Sequence, residues 1–147
     1  MIRPARGDEA AWVADTVDAA FGAYVPRMGR KPATMTADHA ANIAAGEVHI
    51  LEQEGERLGL IVQRPKTDHL FIDILAVAPR AQHRGVGRAL LGFAEAEAKR
   101  LGLPALQLYT HVKMTEALRF YLALGFRQTG AKQEDGFDRV YFEKRLG

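Results

Sequence analysis

The chain contains no cysteine. That excludes disulfides, thiolate-rich metal sites and a cysteine nucleophile. It has one tryptophan and a net charge of only +2 over 147 residues. So small an excess is no footprint for nucleic acid, and no aromatic-rich strand signature accompanies the arginines. No apolar run approaches the ~18 residues of a membrane span. Met1-Ile2-Arg3-Pro4 is not followed by the apolar stretch of a signal peptide. A cytoplasmic location, with neither membrane nor nucleic acid as partner, is the expectation. Fixed-period repeats, low-complexity segments and linkers are also missing. The length falls within the ~100–200 residues of one domain, so residues 1–147 are expected to form a single domain. Charged residues make up 26% and apolar ones 48%, a globular balance. Fourteen of the twenty basic residues are arginine, and their positions carry more information than their sum.

Short elements alternate along the chain. Residues 2–5 suit an edge strand. Asp8 is placed to cap a helix over 9–24, with Val13, Val17, Phe21 and Tyr24 as its apolar stripe. An irregular basic stretch runs from Pro26 to Thr36, where Thr36 is expected to cap a short helix ending near Gly46. Residues 47–64 alternate as a hairpin about Glu54-Gly55-Glu56. The run 69–77 is nearly all apolar, as in a strand buried on both faces, and Asp73 interrupts it. A helix over 85–101 follows, then a strand at 105–110, then a helix over 115–124 capped by Thr115. Strands at about 126–131 and 138–145 join through Glu134-Asp135-Gly136. This order predicts an α/β (α+β) domain around a mixed sheet of about six to seven strands with about four helices. Right-handed crossover makes 69–77 and 105–110 parallel.

The chemistry is carried by Gln82-His83-Arg84-Gly85-Val86-Gly87-Arg88, between a strand and a helix. Gly85 and Gly87 permit a sharp turn that presents main-chain N–H groups. A helix N-terminus leaves donors unpaired at the positive end of its dipole, and such a corner suits a diphosphate. Arg80, Arg84 and Arg88 add forked donors around it. A tight turn with solvated arginines is the plainer reading. The dinucleotide-binding fingerprint needs a third glycine, and the phosphate loop of nucleotide hydrolases needs Gly-Lys-Ser or Gly-Lys-Thr; both are missing.

The run Leu75-Ala76-Val77-Ala78-Pro79 through Gln82-x-x-Gly85-x-Gly87, then Arg88-Ala89-Leu90-Leu91, resembles motif A of the GNAT superfamily of N-acetyltransferases. A second run, Ala117-Leu118-Arg119-Phe120-Tyr121 through Gly125-Phe126, is similar to that family's A-x-x-F-Y-x-x-x-G-F ending. The residue-level motifs cover about 69–126. The resemblance implies a mostly antiparallel mixed sheet whose parallel central pair splays apart to admit acetyl-coenzyme A. It implies coenzyme contacts at Leu75, Ala76, Val77, Gln82, His83, Arg84, Gly85, Val86, Gly87, Arg88, Ala89, Met114, Ala117 and Tyr121. Met114 stands where the family usually has asparagine, and a thioether cannot supply an amide's hydrogen bonds.

The activity implied is acetyl transfer to a primary amine. With no cysteine for an acyl-enzyme, direct attack within a ternary complex is the expected route. By resemblance Tyr121 is the general acid near the sulfur; the alternative is a tyrosine packed on the sheet with its hydroxyl satisfied. The resemblance likewise puts an oxyanion donor among the main-chain N–H groups of Leu75 to Val77. Asp73 is the candidate base, since two-residue periodicity gives it the face of Leu75. An aspartate held by an arginine is equally consistent with its position. His111 is a second candidate, and a water relay a third. The histidines lack metal-ligand spacing, so no metal is expected.

The resemblance also implies that the first two helices and their connection wall the acceptor site, as they usually do in that family. Tyr24, Arg27, Arg30 and His111 are therefore the expected substrate contacts, and the basic connection offers a partner to a carboxylate or phosphate. The acceptor is a small-molecule amine or a peptide. A homodimer is implied only by its frequency in the family. An idle acyl-coenzyme A-binding module is the competing reading.

Overall fold

Residues Val48, Ile50, Leu60 and Val62 bury one face of a hairpin from which the whole sheet extends. The computed structural model describes all 147 residues. The elements in order are β1 (Ile2–Pro4), α1 (Ala10–Phe21), α2 (Tyr24–Met28), α3 (His39–Ala44), β2 (Val48–Gln53) and β3 (Glu56–Pro65). They continue with β4 (Leu70–Val77), α4 (Val86–Arg100), β5 (Ala105–His111), α5 (Thr115–Ala123), β6 (Arg127–Glu134) and β7 (Phe137–Arg145). One seven-stranded sheet runs β1-β2-β3-β4-β5-β7-β6. Only β4 and β5 are parallel; every other pair is antiparallel. Both two-residue turns, Glu54-Gly55 and Asp135-Gly136, have positive φ at each position. That geometry follows the right-handed twist of the strands it joins.

The two faces carry separate cores. Val86, Leu90, Leu91, Ala94 and Ala98 of α4 pack on Leu70, Ile72, Leu106 and Leu108, with Tyr121 and Phe126 closing the layer. Val13 and Val17 of α1 and Ile43 of α3 pack on Ile50, Leu60, Val62, Ile74 and Ala76. Each large aliphatic side chain removed from water in this way contributes about 1.5–3 kcal/mol. Gly59 lets the first turn of α4 sit close, because a Cβ there would lie 2.9 Å from both Ala76 O and Val86 Cγ1.

The helix boundaries depart from the sequence expectation. There are five helices, not four, because α1 stops at Phe21 and α2 starts at Tyr24 and runs on to Met28, into the stretch expected to be irregular. Pro26 is tolerated in the first turn of α2, where its missing N–H has no intrahelical role. Asp8 caps nothing; it is exposed and lies 3.4 Å from Arg6. Its neighbour Glu9 is the structural residue, 1% exposed, accepting from Arg6 N at 2.9 Å and from Arg3 Nη1 and Nη2 at 2.8 and 2.9 Å. Asp38, not Thr36, caps α3, accepting from Ala41 N at 3.0 Å. Thr36 instead donates to Ala33 O at 3.1 Å. Thr115 is the first residue of α5, not its cap, and bonds Glu116.

The parallel pair is short. Only Leu70↔Leu106 and Phe71↔Gln107 are in register. Just beyond, β4 carries a bulge: Ile72 pairs with Gln63 and Ile74 with Val62, leaving Asp73 without an opposite residue. An unpaired residue kinks a strand and raises its twist. From there β4 and β5 diverge.

Candidate active site

The gap between the diverging strands opens into a cavity of about 770 Å³. Its floor is β4 and β5, one end is the start of α4, and α5 and the α1–α2 segment form its walls.

Main-chain direction follows from the register. Ala78 N–H donates to Leu58 O at 2.9 Å. In an antiparallel pair, hydrogen-bonded positions recur every second residue. Ala76 and Ile74 therefore bond β3, while the N–H and C=O groups of Leu75 and Val77 face the gap. Beyond Phe71, β5 supplies them no partner. Ala76 is consequently a wall residue of the opposite core, 1% exposed, and does not line the cavity.

At the α4 end, His83 and Gly85 both have positive φ, 64° and 78°. For histidine that conformation is uncommon and costs energy. It turns the chain so that successive N–H groups point outward, as in an anion-binding nest. The N–H groups from His83 to Arg88 donate to no protein acceptor; the first intrahelical donor is Ala89 N, to Gly85 O at 3.0 Å. Gln82, His83, Gly85, Val86, Gly87 and Arg88 line the cavity there. Arg84 does not; it borders a separate surface hollow with Glu52, Glu54 and Glu56. Arg80 is drawn off to Glu56 Oε2 at 3.2 Å and Arg57 O at 3.1 Å. Ala89 is exposed outside the cavity. Of the three arginines expected around this corner, Arg88 alone reaches the cavity.

Tyr121 lies where α5 meets the gap. Its ring packs against Phe120 and Phe126, with centroids 5.3 and 5.4 Å away. Its hydroxyl has no protein hydrogen-bond partner, and it is not among the sealed, unpaired polar atoms, so it opens to the cavity. Burial, with a smaller contribution from Tyr24, raises its pKa well above the usual 10. The phenol is thus a proton carrier across the whole neutral range. Met114 and Ala117 also line the cavity. Met114 Sδ accepts from Thr110 Oγ1 at 3.2 Å.

Asp73 lines the cavity, but the bulge breaks the two-residue periodicity that gave it the face of Leu75. Its carboxylate receives Arg64 Nη1 at 2.8 Å, and Arg64 is held in turn by Glu47 and Asn42. His111 is buried, and its Nδ1 accepts from Lys113 N–H at 3.1 Å. Burial lowers its pKa, Lys113 lowers it further, and Asp138 opposes both. A neutral His111 with Nδ1 so occupied carries its proton on Nε2 and acts as a donor. That arrangement makes it a poor base.

Tyr24 lines the cavity, whereas Arg27 and Arg30 do not. Arg27 pairs with Glu116 at 2.9 Å and lies over Tyr24. Arg30 donates to Asp135 O at 3.2 Å and stacks 4.0 Å above the Phe137 ring. The two arginines fasten the α1–α2 segment to α5 and to the β6–β7 turn. Among the lining residues that the sequence reading does not include are Tyr109 and Arg139. No helix is long and apolar enough to cross a membrane. No group of three or more histidine, aspartate or glutamate side chains is placed to hold a metal ion.

The sequence matches the model of the Acetyltransferase (GNAT) family over residues 15–126. It is 33% identical over 99 residues to an aminoalkylphosphonate N-acetyltransferase of Salmonella typhimurium, covering 61% of this chain and 64% of that one. It is 31% identical over 133 residues to a mycothiol acetyltransferase of Sanguibacter keddieii, covering 81% of this chain and 40% of that one. The chain thus spans less than two thirds of the length of either relative. The fold superposes with TM-score 0.81 on a PaiA N-acetyltransferase of Thermoplasma acidophilum in complex with coenzyme A, at 17% identity over 99% of this chain and 98% of that one. Both sequence motifs fall within or at the edge of the matched span and meet around one cleft, and the chain belongs to the acetyltransferase (GNAT) family.

Proposed function

We propose that this protein moves an acetyl group from acetyl-coenzyme A to a primary amine by direct attack within a ternary complex. The carrying observation is one cavity with a run of free N–H groups at its α4 end and the free hydroxyl of Tyr121 beside its open strand edge. The N–H groups from His83 to Arg88, with Arg88, suit the diphosphate of the co-substrate. The exposed edge of Leu75 and Val77 suits the amide groups of the pantetheine arm and supplies an N–H to the developing oxyanion. The amine nitrogen attacks the thioester carbon, the C–S bond breaks, and Tyr121 donates toward the departing sulfur. The proton lost by the amine passes to Asp73 or to cavity water. Support for the reaction class comes from the named activities of the relatives, an N-acetyltransferase and a mycothiol acetyltransferase. The acceptor is a small molecule or peptide, no metal takes part, and the setting is the cytoplasm.

Met114 favours a second reading. Where an amide would hydrogen-bond the pantetheine arm, a buried thioether offers packing alone. That suits a domain that binds acyl-coenzyme A without turning it over. A panel of primary amines with acetyl-coenzyme A, followed by thiol release, separates the two. Amine-dependent release supports the enzyme. Tight binding of the co-substrate without release from any amine supports the idle module instead.

A further inference from the structure

Two arginines line the cavity, and they lie at different places. Arg88 sits at the start of α4. Arg139 sits on β7, directly opposite His111 in the β5–β7 register. Its side chain is 13% exposed, yet none of its five donors makes a hydrogen bond within the protein. Glu134 and Asp135 each approach one Nη only to 3.6 Å, and the Glu134 carboxylate is already taken by the Tyr141 hydroxyl. The guanidinium is held instead by aromatic faces, 4.4 Å above the Tyr109 ring and 5.4 Å from Phe137. A guanidinium fixed by stacking, with its fork unfilled and on the cavity wall, is prearranged for an oxyanion. Registered neighbours on one sheet face lie within reach of a single ligand group. His111, whose Nε2 carries the proton, adds a second donor beside it.

We infer that Arg139 anchors an anionic group of the acceptor, so the substrate is an amine that also bears a carboxylate or phosphonate. The inference rests on the acetyl-transfer reading of the same cleft. It reassigns the anion partner from Arg27 and Arg30, which are spent on Glu116 and the β6–β7 turn. The acceptor anion enters against Glu134 and Asp135, neither of which hydrogen-bonds the guanidinium.

The test uses the whole chain loaded with coenzyme A and amines matched in pairs: β-alanine with its amide, and 2-aminoethylphosphonate with ethylamine. Calorimetric affinity is read first and thiol release from acetyl-coenzyme A alongside. The anionic member of at least one pair should bind about ten-fold more tightly or better, as a charge-assisted contact requires. Arg139→Gln should erase that gap, and Arg139→Lys should restore part of it, with coenzyme A affinity unchanged in both. The carboxylate and phosphonate pairs distinguish the two anions. Equal affinity within every pair, or a gap that survives Arg139→Gln, overturns the inference. A preference for the neutral members does so too, since it would assign the site to Glu134 and Asp135. An anionic preference in binding without thiol release from any amine upholds Arg139 and overturns acetyl transfer.

Discussion

Replacing Tyr121 with phenylalanine separates chemistry from packing. The ring is wedged between Phe120 and Phe126 and against Phe142, contacts that phenylalanine keeps. The hydroxyl bonds nothing in the protein, so its loss leaves no orphaned donor or acceptor. Stability should change by no more than about 0.5 kcal/mol. The rate should change far more. Positioned acids are worth ~10²–10⁴-fold. A thiolate with a pKa of about 8.5 leaves without much help. A phenol raised above its usual value does not surrender its proton fully to such a thiolate. Both facts point to the lower end, near 10²-fold, or about 2.7 kcal/mol of barrier. Stopped-flow thiol release at saturating acetyl-coenzyme A measures it, with calorimetry to show unchanged co-substrate affinity. Because Tyr121 stays protonated, the wild-type rate should show no alkaline limb from its ionisation below about pH 10. A loss of turnover below about three-fold with binding intact would refute the acid role.

Arg88→Ala should weaken acetyl-coenzyme A about five- to ten-fold and flatten the salt dependence of binding, whereas Arg84→Ala should stay within about two-fold, since its side chain lies outside the cavity. Titration at low and high salt checks both. The acid limb of stability should trace to Glu9. The Arg3 guanidinium beside it holds its carboxyl at about 2 against an ordinary 4.5. A carboxyl lowered in the folded state stabilises fully above the unfolded value, and that stability, about 3 kcal/mol, is lost as pH falls from 4.5 toward 2. Urea unfolding at pH 7 and pH 3 should show Glu9→Gln less stable by about 3 kcal/mol at the higher pH, with a smaller gap at the lower. An undiminished gap at pH 3 would contradict the assignment.

The strand alternation of 47–64, the apolar run of 69–77 and the helix stripe of 85–101 were legible because each depends on local pattern. The glycine corner was legible for the same reason: Gly85 and Gly87 stand together in the chain. Side-chain destinations were not. Arg84 and Arg88 are four apart, and only the observed turn sends one to the cavity and the other to the acidic hollow. The face of Asp73 was misread because a bulge is a relation between two strands and leaves no mark on one of them. Arg139 alternates with Val140 and Phe142, so its place on the other face of the sheet was readable. Its presence at the cleft was not, because that needs β7 inserted between β5 and β6. Glu9 was passed over for Asp8 because a cap is a local pattern, whereas Arg3 and Arg57 reach Glu9 from separate strands.

Acetyl transfer as proposed depends on the N–H run from His83 to Arg88 holding a diphosphate. Calorimetric titration with acetyl-coenzyme A and with acetyl-pantetheine, which lacks the diphosphate, tests that directly. The prediction is one acetyl-coenzyme A per chain and at least a hundred-fold weaker binding of the truncated thioester, as the loss of several charge-assisted contacts requires. Equal affinity for the two thioesters would contradict it.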